Sequence, residues 1–176
     1  MSRIVERSRQ LTPHILAWEL YTHGAYGFQP RPIIEEHIPK YAHTLEFAER
    51  LRGLINWVRK DRMEEWYTEQ GIRVTSAYRH LEYNRKVGSG DGSMHTDPRS
   101  DKDPYNRAPC ALDLAPYPIK GEGEWQWFNY NEFYKMAEHV DDSFPDRPYR
   151  LGYYGESGFV HVDSGYGYQA LRWTGK

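Results

Sequence analysis

Arg150-Leu-Gly-Tyr-Tyr-Gly-Glu-Ser-Gly-Phe-Val-His-Val-Asp163 reads as two short strands joined by a Gly-containing turn. On a strand, residues two apart point the same way, so Phe159, His161 and Asp163 share one face and Val160 and Val162 the other. The valines can bury against whatever packs on the sheet, while the histidine and the aspartate face a cleft. Downstream, Tyr168 to Trp173 supplies a third strand, and the three are expected to run antiparallel. Upstream, Ile72-Arg-Val-Thr-Ser76 and Cys110-Ala-Leu-Asp-Leu114 read as further strands.

The helices come mostly earlier. Leu45, Ala48, Leu51, Leu54 or Ile55 and Val58 recur at three and four within residues 40–69, with Glu46, Glu49, Arg50, Arg52, Arg59 and Lys60 on the other face. A second helix is expected from Tyr130 to Val140, striped by Phe133, Met136, Ala137 and Val140. Leu11 to Leu20 reads as a capped turn or short helix, with Thr12 as the cap and Pro13 at the first helical position. The residues after it form a loop packed by Tyr26 and Phe28. Residues 88–109, with three glycines, three prolines and almost no apolar side chains, form a long loop that needs a reason to exist. Residues 116–125 form another. The whole predicts an α+β fold, a small antiparallel sheet flanked by helices. Residues 1–39 are read as an N-terminal extension packed on a domain spanning 40–176.

Composition narrows the function classes. The chain has 176 residues, 23 Lys plus Arg against 25 Asp plus Glu, and a formal charge of −2. That balance argues against a general phosphate-backbone binder, so no nucleic-acid partner is expected. A chain this long buries roughly two thirds of its extended surface on folding, so it needs no metal merely to hold together. The one cysteine, Cys110, cannot form an internal disulfide. No apolar run is long enough for membrane insertion, and the first ten residues carry charge where a signal peptide needs an apolar core. Cytoplasmic synthesis without a signal peptide is the expectation. Fifteen tyrosines and six tryptophans exceed what a small core requires, which points to aromatic surface facing a groove or partner.

Of eight histidines, His14, His23, His37, His43 and His139 lack a co-placed ligand set and are read as structural or surface residues. His95 and His161 stand apart. Asp113 sits between Leu112 and Leu114, so the leucines face the core and the aspartate the opposite side. Two histidines and a carboxylate make a candidate zinc triad with a fourth position open for water. In the alternative, His161 and Asp163 are a surface pair and Asp113 a strand-end carboxylate.

Leu11-Thr-Pro-His14, Trp18-Glu19, Val74-Thr-Ser-Ala-Tyr-Arg79, Tyr83-Asn84, Val87-Gly88, Ser93-Met-His95, Ala111-Leu-Asp113, Gly152-Tyr-Tyr154, Ser157 to Gly165 and Arg172-Trp173 occur in that order along nearly the whole chain. Together they resemble peptidase family M15, the zinc D-Ala-D-Ala carboxypeptidase and L-alanyl-D-glutamate endopeptidase group, and its short cell-wall peptidase branch of bacteria and phages. The resemblance implies the fold shared with the hedgehog signalling domain, and zinc ligands His95, Asp113 and His161. It implies that Arg79 holds a peptide carboxylate, that Ser93 supports substrate or the ligand loop, and that Tyr78 and Asn84 brace that loop. Arg79 or His80 would stabilise the oxyanion. The substrate implied is a peptidoglycan stem peptide or its precursor. The setting is a phage endolysin released on lysis, a component of a phage particle, or a cytoplasmic enzyme acting on precursors.

Two positions depart from the family pattern. The family's first two ligands lie within a compact Ser-x-His-x-x-Gly-x-Ala-x-Asp run, whereas His95 and Asp113 are 18 residues apart, with an inserted loop at 96–109. Such an excursion is cheap if its ends stay close, and it would form a lid or partner-binding loop. The competing reading has Asp97, Asp101 or Asp103 replacing Asp113. The family's glutamate three residues before the last histidine is here Gly158. Asp163 is then the first choice for general base and Glu156 the second, with an orienting role for Asp163 as the alternative.

Overall fold

The computed structural model describes residues 2–22, 28–62, 71–90, 92–97, 108–116, 119–120, 125–126, 130–144, 149–164 and 171–175. The helices are α1 (Ile38–Arg62), α2 (Leu81–Lys86) and α3 (Tyr130–Asp142), with short 3₁₀ turns at Ala17–Leu20 and Glu35–His37. The strands are β1 (Ile72–Ser76), β2 (Leu112–Pro116), β3 (Ile119–Lys120), β4 (Trp125–Gln126), β5 (Arg150–Tyr154), β6 (Phe159–Asp163) and β7 (Leu171–Thr174). Five of them form one sheet in the order β1-β2-β6-β5-β7, and β3 pairs with β4. The fold is therefore α+β, as expected.

The apolar alternation sets which side of the sheet is core. Leu112, Leu114, Leu151, Val160 and Val162 are buried and pack with Tyr41, Phe47, Leu51 and Ile55 of α1 and with Phe133, Ala137 and Val140 of α3. Of the predicted α1 stripe, Leu45, Ala48, Leu51 and Ile55 are buried, and Tyr41 and Phe47 join them from outside it. Val5, Ile15, Ala17, Leu20 and Ile33 join the same core, so the described part of the first 39 residues contributes to it. Pro39 sits in the first turn of α1, where its missing N–H leaves no bond unmade.

Several local expectations change. The predicted helix over 40–69 begins at Ile38 and is described to Arg62; residues 63–70 lie outside the described set. In the 11–20 segment Thr12 does bind the Ile15 amide through Oγ1 at 3.0 Å, but only a 3₁₀ turn follows. α2 was not predicted, since six residues are too few to show a period. β2 has the predicted length but is shifted two residues toward the C-terminus, to Leu112–Pro116. β3 and β4 fall within or at the end of the expected 116–125 loop. The last strand is parallel to β5 rather than antiparallel. β5 separates β6 from β7, so a chain that reverses after β6 comes back along the far side of β5 in β5's own direction.

Candidate metal centre

A single cross-sheet row builds the site. Ser76 pairs with Asp113, Asp113 with His161, His161 with Gly152 and Gly152 with Trp173. Register partners share a face, and this one lies opposite the leucines and valines of the core. His95 arrives from a loop instead of a strand. Its neighbour Met94 accepts the amides of Cys110 and Ala111 at 2.8 and 3.1 Å, and the His95 carbonyl accepts the Arg79 amide at 2.8 Å. The loop is thus stitched between the end of β1 and the start of β2. The Arg79 loop is propped from behind, where Leu20 accepts the Tyr78 amide and Thr22 donates to the Tyr78 carbonyl.

His95, Asp113 and His161 each offer one ligand atom, all within 4.8 Å of one another. His161 Nδ1 lies 2.9 Å from Asp113 Oδ1, and His95 Nε2 lies 3.2 Å from both of them. The far nitrogen of each ring is fixed. His95 Nδ1 donates to the Ala77 carbonyl at 2.6 Å, and His161 Nε2 donates to Asp163 Oδ2 at 2.8 Å. Those bonds set the tautomers that aim His95 Nε2 and His161 Nδ1 at the shared point, as metal-ligating histidines require. Arg79 donates to Asp113 Oδ2, leaving Oδ1 to face the two rings. The triad can hold a metal ion.

The two histidines at that point are shifted in opposite directions. Burial pushes the His95 pKa down. Burial acts the same way on His161, but its hydrogen bonds to Asp113 and Asp163 outweigh it and carry the pKa up to about 9. The Asp113 carboxyl is held well below the usual carboxylate range; burial opposes this, and the charge and hydrogen bonds of the two histidines prevail.

The triad sits at an open cleft of about 1030 Å³ whose lining includes Ser76, Arg79, Ser89, Ser93, Tyr154 and Phe159. Arg79 and Ser93 are there as expected. Arg79 is committed, however, with Nε donating to Ser76 Oγ at 2.8 Å and a second nitrogen to Ser89 Oγ at 3.3 Å, besides its bond to Asp113. Ser93 Oγ accepts the His95 amide at 3.3 Å, bracing the ligand loop. Asn84 braces it further by donating to the Gly90 carbonyl at 2.9 Å.

Other predicted residues fall elsewhere. His80 is buried as the N-cap of α2, its Nδ1 accepting the Tyr83 amide at 3.3 Å, and it packs on Phe28 outside the cleft lining. Asp97 turns to His37 Nε2 and the Tyr78 hydroxyl, both at 2.8 Å. Asp101 and Asp103, with most of the 96–109 loop, lie outside the described residues. Glu156 is exposed on the β5–β6 turn. Asp163 has no exposed side-chain surface; Arg150 donates to its two oxygens at 2.7 and 2.9 Å, and one of these also receives His161.

Sequence reasoning did not single out Arg150. Its partner lies 13 residues away on the adjacent strand, and only the β5–β6 register brings the two together. Trp173, 5.4 Å from His161 between ring centroids, was noted only as part of a motif. Compared with family models, curated proteins and solved structures, the chain matches none.

Proposed function

We propose that the chain is a zinc-dependent hydrolase that cuts peptide bonds in peptidoglycan stem peptides, of the kind found in peptidase family M15. The observation that carries this reading is the convergence of His95, Asp113 and His161 at an open cleft, with each ligand held by a further partner. Two imidazole nitrogens and one carboxylate oxygen suit zinc with an open coordination position. Zinc bound there would acidify a water and polarise the scissile carbonyl.

The protein's own residues divide the remaining work. Asp163, backed by Arg150, orients His161. Both of its oxygens are engaged with Arg150 and His161, so its role is positioning, and the base role passes to Glu156, exposed on the β5–β6 turn beside the described cleft lining rather than in it. Arg79 acts through Asp113, holding one carboxylate oxygen so that the other faces the rings. With its guanidinium so engaged, terminal-carboxylate recognition loses its first candidate, and cleavage within a chain is the better-supported mode. Among the described residues no helix is long and apolar enough to cross a membrane.

A second reading is a cell-wall-binding or phage-particle component that keeps the fold with weak or no activity. One observation favours it: among the described residues, no carboxylate besides Asp113 lines the cleft. Purified disaccharide-peptides incubated with the zinc-loaded protein separate the two readings. The hydrolase reading expects new amine termini, lost in His161→Ala and strongly reduced in Glu156→Gln. Peptidoglycan binding without cleavage would support the second.

A further inference from the structure

The cleft has an aromatic side next to the metal-ligand row. Tyr154 on β5 and Phe159 on β6 are register partners, and their rings stack 4.6 Å apart and only 13° from parallel. The stack is fixed in place. Trp173 donates its indole N–H to the Tyr154 hydroxyl at 3.2 Å. Gly175 brings its backbone so close to the Tyr154 ring that a Cβ there would lie 2.0 Å from Cε1. Both stacked residues are half-buried and line the cleft, and Phe159 precedes the ligand His161 by two residues on the same strand face.

The rest of the lining complements that flat surface. Ser89, Gly90, Gly92 and Ser93 offer hydroxyl and backbone groups along one side. The Arg79 guanidinium in the lining is held by Asp113, Ser76 and Ser89. A rigid aromatic face beside small hydroxyl and amide groups suits a neutral ring that is apolar on its face and hydroxylated at its edge. That is the chemistry of a pyranose sugar.

We propose that the Tyr154–Phe159 stack is a sugar subsite, and that the substrate is a stem peptide still attached to its amino sugar rather than a free peptide. This rests on the hydrolase reading above for what is cut, but not for what is bound.

The zinc-loaded full-length protein tests it in two ways. Calorimetric titration with the N-acetylglucosaminyl-N-acetylmuramic acid disaccharide as its lactyl amide, which carries neither a peptide bond to a second residue nor a free carboxylate to reach the zinc, reads the subsite alone. Saturable binding is expected, retained in Phe159→Trp and lost in Phe159→Leu, which keeps apolar bulk without a ring. Zinc stoichiometry and far-ultraviolet dichroism of both variants confirm that they fold. Kinetically, kcat/KM should be about tenfold or more higher for the disaccharide-linked tetrapeptide than for the bare tetrapeptide, with that ratio near one in Phe159→Leu. No disaccharide binding, or equal kcat/KM for the two peptides, would overturn the subsite. Disaccharide binding without cleavage of either peptide would remove the hydrolase reading and leave the subsite standing.

Discussion

Asp163 was placed on the face of His161 by strand periodicity, and its side chain does reach that ring, but from behind. Its pKa is lowered although burial opposes ionisation, because His161 and Arg150 both stabilise the carboxylate. A buried acceptor that fixes a ligand's tautomer acts on metal affinity before it acts on chemistry. Asp163→Ala should weaken zinc binding by about 10–100-fold, measured by competition with a chromophoric chelator; unchanged affinity would contradict the positioning role. Cys110 offers a separate check on the core. Burial pushes its thiol up to about 11, and it is fully buried beside the ligand loop. At pH 8 the folded protein should therefore leave Cys110 unalkylated by iodoacetamide, while the denatured chain reacts. The two histidines of the triad were legible as candidates because each sits in a distinctive local setting. Arg150 was not, since nothing in its immediate sequence announces a partner on the next strand.

At the scale of elements, the row from Ser76 to Trp173 crosses all five strands of the main sheet and carries two of the three triad residues. Gly152 is its narrow point. A Cβ there would lie 2.5 Å from the Trp173 ring, so glycine is what allows the indole to lie beside His161. Gly152→Ala is expected to cost about 1–3 kcal/mol through overpacking. In thermal denaturation its combination with Trp173→Ala should cost clearly less than the sum of the single changes. Additive losses would mean that the two positions do not press on each other. The strands of the main sheet were legible because alternation is local, whereas the two-residue β3 and β4 were too short to show any. The parallel direction of β7 was not, because it follows from strand order. Nor was α2, whose six residues are organised by the His80 cap and the Asn84 bond to Gly90 rather than by a repeating apolar stripe.

Across the whole molecule, the start of α1 reaches over to the loop that carries His95. His37 meets Asp97, and Lys40 donates to the Ala108 carbonyl at 2.7 Å, so one short stretch grips both described ends of the 96–109 insertion. The sequence reading treated His37 as an ordinary structural histidine; its contact with a residue 60 positions away required the fold. The hydrogen bond from His37 holds the Asp97 carboxyl below its usual range, with burial opposing and Tyr78 assisting. A carboxylate whose pKa is lower in the folded state adds stability above its unfolded pKa of about 3.9, and that stability is lost as the pH falls through the folded value. Asp97→Asn should therefore lower Tm at pH 7 and do so by a smaller amount at pH 3. An equal loss at both would show that charge at Asp97 does not contribute. The central claim is that His95, Asp113 and His161 form a zinc site, and metal content by mass spectrometry on protein purified without added metal tests it most directly. The account predicts about one zinc per chain, in line with a single three-residue site, lost in His95→Ala and His161→Ala variants that remain folded by circular dichroism. No bound metal, together with no tight uptake on titration with zinc, would contradict it.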